Sequence, residues 1–390
     1  MKKILAITTI RSDYDLMSGL YRLLHNDESI ELKLLVGGAH LSETYGLSVN
    51  LIEKDGFEEL IRLETLIDSN SRSARLKAAS LLLQNSIDIV AGYNPELIIY
   101  AGDREDVLVG AMLGGYLKIP TAHFFAGDHV SDGHIDNSVR HAVSKLSSVH
   151  FVCLDEHRQR LIKMGESQER IFVIGSPALD RFLNPEGLAG IDQVLNDNFK
   201  VEINKWQDYA IMIFHPILSE EAMGGKNAQQ ILECLKDKDI KTFIGYPNTD
   251  PGNKDIINVY KQFFSNYPKM FQLYKNLDRE SFVSLFKHAR FIIGNSSSGI
   301  LEAATIKIPA INVGNRQKGR IVGANVIFVE QNKDSINQAI DNALSDEFKK
   351  KISGIKNPYG EGDSCKIAYD LIKNIDFDKF VLKKEDPLKL

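Results

Sequence analysis

The chain has 390 residues and a formal charge of −5, and its 43% hydrophobic content is too high for a disordered chain. It is too long for one compact core, carries no Lys/Arg stripe for nucleic acid, and contains no apolar run of membrane-spanning length. Cys153, Cys234 and Cys365 are odd in number and far apart, which excludes a disulfide framework or a zinc spacing and leads us to expect a soluble cytoplasmic protein.

The expected elements begin with a strand over 3–9, too short to be a signal-peptide core before Arg11 and Asp13 cut it off. A helix over 15–25, a strand over 31–36 and a long helix over 73–92 follow. Apolar runs at 97–101, 121–125, 149–152 and 171–174 read as strands, with helical patterns at 106–117 and 137–146 among them. Strands alternating with helices predict a parallel sheet covered on both faces. The stretch 175–196, rich in Gly, Pro and Asn, breaks the rhythm and reads as a linker.

The alternation then restarts. Strands are expected over 209–214, 241–246, 271–273, 290–293, 309–313 and 326–329, and helices over 219–236, 255–264, 279–288 and 335–344. A helical tail over 364–382 is expected to pack back on the first half. The fold class is therefore α/β: two Rossmann-like, doubly wound parallel-sheet domains, 1–178 and 179–363, facing a central cleft, with a tail over 364–390. No G-x-G-x-x-G follows a strand, so NAD-dependent dehydrogenases are set aside.

In such folds ligands meet the residues just past the carboxyl ends of the strands. In the first domain these ends are rich in carboxylates, Asp103, Asp128, Asp132 and Asp136, accompanied by Arg11, Arg104 and Arg140. In the second they suit phosphate and diol: His215, the serines of GNSSSGILEAA at 294–304, Glu302, Arg316 and Arg320. That stretch reads as a buried strand, a polar turn and the first turns of a helix, an arrangement that collects anions on free N–H groups. Glu302, one turn down on the same side, is placed to accept two hydrogen bonds from a ribose cis-diol. Phosphate on the serines and ribose on Glu302 make a nucleotide-diphosphate site. Plainer roles exist for the same residues: a capped helix for the serines, N-caps for Asp103 and Asp136, a core position for His215.

These motifs resemble the UDP-N-acetylglucosamine 2-epimerases, above all the hydrolysing type. TTIRSDYDLM is similar to the family's opening T-x-R-A-D-Y, and GDRED, FHP at 214–216 and YPNTDPG resemble its next blocks. GNSSSGILEA followed by NVGNRQKGR resembles its most specific pair, and NPYGEGDS at 357–364 its closing motif, all in the family's order. The resemblance implies a GT-B-type fold, a UDP-sugar substrate, no cofactor or metal, and a homodimer or homotetramer. Its nucleotide contacts fall on Arg11, His215, Asn248, Ser296, Ser297, Glu302 and Arg316, and its acid/base and sugar contacts on Asp103, Arg104, Asp136 and Arg140. The implied reaction removes the C2 proton as UDP departs, leaves a glycal, and adds water to release N-acetylmannosamine. Such chemistry opens sialic-acid-like sugar synthesis.

One departure is visible. The family reads H-x-E-G-G-E where this chain has His123-Phe124-Phe125-Ala126-Gly127-Asp128, so a glutamate is replaced by Phe125. Asp128, swinging after Ala126-Gly127, or Asp132 is expected to supply the missing carboxylate, with the Phe125 ring walling the sugar pocket. The nearest alternative is the same reaction on a UDP- or GDP-linked 2,4-diacetamido-trideoxy sugar, as in legionaminic-acid synthesis. A non-hydrolysing epimerase, a GT-B glycosyltransferase and a non-catalytic sugar-nucleotide binder are further alternatives.

Overall fold

The computed structural model describes residues 1–390 except 70, 131–134, 184–187, 218–222, 248–251, 276, 387, 389 and 390. The chain divides into two compact units, one built mainly from residues 1–180 and 362–390, the other from 181–361.

The first unit contains β1 (Lys2–Thr8), β2 (Ile30–Gly37), β3 (Leu60–Leu63), β4 (Leu97–Ala101), β5 (Thr121–Phe124), β6 (Val149–Val152) and β7 (Ile171–Val173). They form one parallel sheet in the order β3-β2-β1-β4-β5-β6-β7. The reason lies in the central strands, such as β4 with its fully buried LIIYA, which present apolar side chains on both faces and so need cover on both. In β1, Ile4 and Ala6 enter one core while Leu5 and Ile7 enter the other. Strand β4 repeats the division with Ile99 against Ile98 and Tyr100. The sheet reverses its order between β1 and β4, where a doubly wound fold opens its binding crevice.

The second unit contains β8 (Tyr209–Ile213), β9 (Lys241–Gly245), β10 (Phe271–Tyr274), β11 (Phe291–Gly294), β12 (Ala310–Val313) and β13 (Val326–Val329). Its parallel sheet runs β10-β9-β8-β11-β12-β13 and reverses between β8 and β11. The expected strands and most of the expected helices are present, most ends shifted by a residue or two, while the first helix begins at Arg11, four residues before its expected start. The helix read over 219–236 is described from Gly224 to Asp237, its first residues lying outside the described set.

Three readings need correction. Strand β3 was not expected, because L-I-R-L is short and only half-buried, with little period-2 signal for a sheet edge. The linker over 175–196 is partly structured. Pro177–Leu179 and Asp180–Leu183 form turns of helix, and Ile191–Phe199 is a helix whose Val194 and Leu195 are fully covered. Pro177 and Gly190 stand at helix starts, and Val194, Leu195 and Phe199 carry a helical spacing that composition alone conceals. The tail helix stops at Asn374, where Lys2 Nζ donates to the Ile372 and Ile375 carbonyls at 2.7 and 3.1 Å.

That tail closes the first core. Cys365, Ala368, Ile372, Phe377 and Phe380 are buried in the same cluster as Tyr14, Met17 and Leu20. Asp180 fixes its start, accepting from the Ser364 and Cys365 N–H groups at 3.2 and 2.7 Å. We predict that Asp180→Ala costs about 1–2 kcal/mol, the value of a helix-start carboxylate. Urea unfolding checks it, and an unchanged midpoint would show that apolar burial alone seats the tail.

Candidate active site

In the second unit, everything polar at the sheet edge is organised by Asn295, which is wholly buried. It follows Gly294, whose φ of +137° and closeness to β8 exclude a side chain: a Cβ there would lie 2.0 Å from the Ile213 carbonyl oxygen. The Asn295 amide then clasps the next backbone unit of the β8 loop. Its Oδ1 accepts from His215 N–H at 2.7 Å and its Nδ2 donates to His215 O at 2.9 Å. Its own carbonyl accepts from Arg316 Nη1 and Gln317 Nε2, both at 3.0 Å. One asparagine thus sets His215, the serine turn and Arg316 in one frame. Burial and the nearby Arg316 guanidinium push the His215 ring down to about 3, so it is neutral at ordinary pH.

Ser296 and Ser297 are half-buried in the turn, and Ser296 Oγ accepts from Ser298 N–H at 3.3 Å. The helix after them is a single turn, Ser298–Leu301, not the longer one expected. Pro309 forbids a helical Ile308, Lys307 takes a φ of +57°, and β12 begins at 310, so the chain must turn back at once. Glu302 is consequently the capping residue just past that turn and is buried. Its Oε1 accepts from Arg181 Nη2 at 2.5 Å, while Oε2 is buried without a hydrogen-bond partner among the described residues. Glu302 therefore does not lie along a continuing helix. Half of its carboxylate is already committed.

In the first unit, the ends of β4 and β5 meet at Arg140, which reaches in from the helix Ile135–Leu146 and is buried. Arg140 Nη2 donates to Asp103 Oδ2, and its Nη1 lies 3.3 Å from Asp128 Oδ2. Asp128 Oδ1 also accepts from His129 N–H at 2.8 Å and lies 3.4 Å from His157 Nε2. Asp103 is not a helix N-cap, since that position is held by Arg104. Nor does Asp128 swing. Ala126 is wholly buried, a Cβ on Gly127 would lie 2.5 Å from the His157 carbonyl oxygen, and Gly127 O accepts from Arg160. Phe125 lies past the end of β5 at a φ of +59°, half-buried against the first core.

Behind Arg140, Ser144 Oγ contacts the Arg140 carbonyl at 3.0 Å and His123 Nδ1 at 3.2 Å. His123 Nε2 donates to Gly102 O at 2.8 Å, and burial pushes its ring down to about 3. Arg104 is exposed near Asp13, Asp103, Asp106 and Asp136. Asp136, in the first turn of the helix Ile135–Leu146, is 4.0 Å from Arg75. Arg11 opens the helix Arg11–His25 and pairs with Asp15 at 3.4 Å. Asp132 and Asn248 lie outside the described residues. Among the described residues, no group of three or more His, Cys, Asp or Glu side chains is placed to hold a metal, and no helix is long and apolar enough to cross a membrane.

The profile of the UDP-N-acetylglucosamine 2-epimerases matches residues 22–373. This chain belongs to that family of enzymes. It is 32% identical to the UDP-N,N'-diacetylbacillosamine 2-epimerase (hydrolyzing) of Legionella pneumophila, across 98% of this chain and 99% of that one. It is 30% identical to the UDP-N-acetylglucosamine 2-epimerase of Neisseria meningitidis, across 88% of each. The fold is shared with the crystal structure of UDP-GlcNAc 2-epimerase from Neisseria meningitidis bound to UDP-GlcNAc, with a TM-score of 0.80, 18% identity, and coverage of 95% of this chain and 100% of that one. The two parallel sheets are thus the GT-B-like pair of the 2-epimerase family.

Two residues of this epimerase escaped sequence reasoning. Arg181 sits in the stretch read as linker, and nothing in its neighbours' spacing signals a partner at Glu302. Asp13 stands in the first turn of the helix Arg11–His25 and was given no role. Burial, reinforced by the nearby Asp106, pushes its carboxyl well above the usual range, and its Oδ2 is buried without a partner among the described residues. Asp106 itself accepts from Thr9 Oγ1 at 2.5 Å.

Two predictions follow from these contacts. Between the ordinary carboxylate range and its raised value, Asp13 holds a proton in the folded chain that the unfolded chain has released, so its contribution falls as pH rises. Asp13→Asn is expected to raise the melting temperature near pH 7.5, with the gain shrinking toward about pH 4. Thermal scans across that range decide it, and a loss at neutral pH would contradict the assigned protonation. Arg181→Met leaves the Glu302 carboxylate buried and unpaired and is expected to cost about 3 kcal/mol. Adding Glu302→Gln recovers part of that cost. Strictly additive losses in the double-mutant cycle would mean that the pair is not coupled.

Proposed function

We propose that this epimerase is of the hydrolysing type, converting a UDP-linked 2-acetamido sugar to free UDP and the C2-epimeric free sugar, with UDP-N-acetylglucosamine and N-acetylmannosamine as the first assignment. The observation that carries the reading is the meeting of Asp103 and Asp128, from two neighbouring strand ends, at one buried arginine. Removing a C–H proton and returning one to the opposite face needs two carboxyls held apart in fixed positions. One takes the C2 proton as the C1–O bond to UDP breaks and a C1–C2 double bond forms. The second carboxyl, which enters this step protonated, then delivers its proton to the other face of C2 as water adds its oxygen to C1, and the proton that water loses restores it.

On this reading Asp128 takes the place of the family glutamate replaced by Phe125, and Asp136 and Asp132 are further members of the acid/base set. Arg104 and Arg140 serve the sugar side. Arg11, His215, Asn248, Ser296, Ser297, Glu302 and Arg316 hold the nucleotide. With a helix of only one turn behind the serines, Arg316 must meet most of the diphosphate charge on the second unit, and neutral His215 adds a donor without adding charge. Glu302 offers Oε2 to the ribose. A second reading keeps the chemistry and moves the substrate to UDP-N,N'-diacetylbacillosamine; the name and near-complete coverage of the Legionella relative favour it.

Product NMR in deuterated water, with both UDP-sugars and their GDP counterparts, tests the assignment. The expected product is a free sugar of manno configuration carrying deuterium at C2. A gluco product without deuterium would reduce the protein to a sugar-nucleotide hydrolase, and an epimer still linked to UDP would make it non-hydrolysing. Asp103→Asn and Asp128→Asn are each expected to lower kcat by roughly 10²–10⁴-fold while UDP binding persists. Turnover within a few-fold of the parent would remove that residue from the acid/base set.

A further inference from the structure

The C-terminal segment past the tail helix does more than cover apolar surface. Phe377 and Phe380 already anchor it to the first core. Beyond them, Arg170 gathers the chain by donating to Phe380 O at 2.5 Å and Leu382 O at 2.7 Å, and pairs with Glu385 at 2.7 Å. This brings Lys383 to the carboxyl end of the helix Ile135–Leu146. Its ammonium donates to Ser144 O and Lys145 O, both at 3.0 Å, and to Glu166 Oε2 at 2.6 Å. All three of its N–H groups are used. Glu166 is buried and also meets His150 Nε2 at 2.9 Å and Lys145 Nζ at 2.6 Å.

The helix so capped carries Arg140, one turn before Ser144. Ser144 Oγ touches both Arg140 O and the His123 ring, and His123 is bonded to Gly102, the residue before Asp103. A continuous set of polar contacts therefore runs from Lys383 to the Arg140 bridge. A helix end with orphan carbonyls is the place where a cation fixes position along the axis. We propose that Lys383 is a positioning residue of the acid/base set: by closing the end of the helix Ile135–Leu146 it sets Arg140, and through Arg140 the separation of Asp103 and Asp128. The catalytic half of this inference rests on the proposed function; the mechanical half does not.

The test compares the parent with Lys383→Met, Lys383→Arg and the exposed neighbour Lys384→Met. Hydrogen exchange over residues 135–146, kcat for free-sugar release and calorimetric UDP affinity are measured for each. For Lys383→Met the helix is expected to exchange faster and kcat to fall by about 10–100-fold, the effect of a small misplacement, with UDP affinity unchanged. Lys383→Arg restores most of both, and Lys384→Met behaves as the parent. A parent-like kcat for Lys383→Met overturns the proposal, as does a loss of UDP affinity matching the loss of kcat, which would indicate general loosening. If the parent releases no free sugar from any nucleotide sugar offered, the proposed function fails by itself. The exchange result then decides the strap, and an unchanged helix overturns it.

Discussion

A parallel sheet buried on both faces leaves its strand ends as the place for polar chemistry. The central strands spend their side chains on two cores, as Leu5 and Ala6 do in β1, and what remains is the loop just past the last residue. The two units meet that constraint in different ways. In the second, backbone approach is so close at Gly294 that a buried asparagine amide does the work of another strand rung, and the polar groups are arranged around it. In the first, side chains from separate strand ends are drawn together by charge.

The charge arrangement at Arg140 is asymmetric: one buried guanidinium faces two carboxylates. Such a group is costly to bury and costlier to remove, because its partners would then face one another without compensation. The arginine also fixes geometry that carboxylates alone cannot keep, since like charges at that distance push apart. Asp13 and Asp106 show the other outcome nearby. There burial outweighs the nearby Arg104, and the Asp13 carboxyl is pushed well above the usual range.

Much of this was legible in the sequence. The apolar runs LIIYA and FIIG announced buried strands, and the residues immediately after them included Asp103, Arg104, Ser296 and Ser297. What could not be read was pairing. Arg140 and Asp103 are 37 positions apart, and Arg181 and Glu302 are 121 apart. Periodicity says which face a residue occupies, but not which distant side chain will share it. The length of the helix after the serines failed for a related reason. ILEAA is a good helical sequence, overruled by the position of Pro309 and the start of β12. Asp128 was expected to move because Ala and Gly precede it, yet Gly127 is there to let two backbones touch, which is a rigid use of glycine.

The two units also differ in when they can be finished. Residues 181–361 are contiguous, so the second unit holds everything it needs once they have left the ribosome. The first unit has all seven strands by residue 173, but its core still lacks Cys365, Ala368, Ile372, Phe377 and Phe380. At ordinary elongation rates the wait is roughly 10–40 seconds. The usual order of domain completion is thereby reversed: the half that is made first closes last. Through that interval an apolar patch around Tyr14, Met17 and Leu20 is uncovered, and it is there that a nascent-chain chaperone would find its purchase.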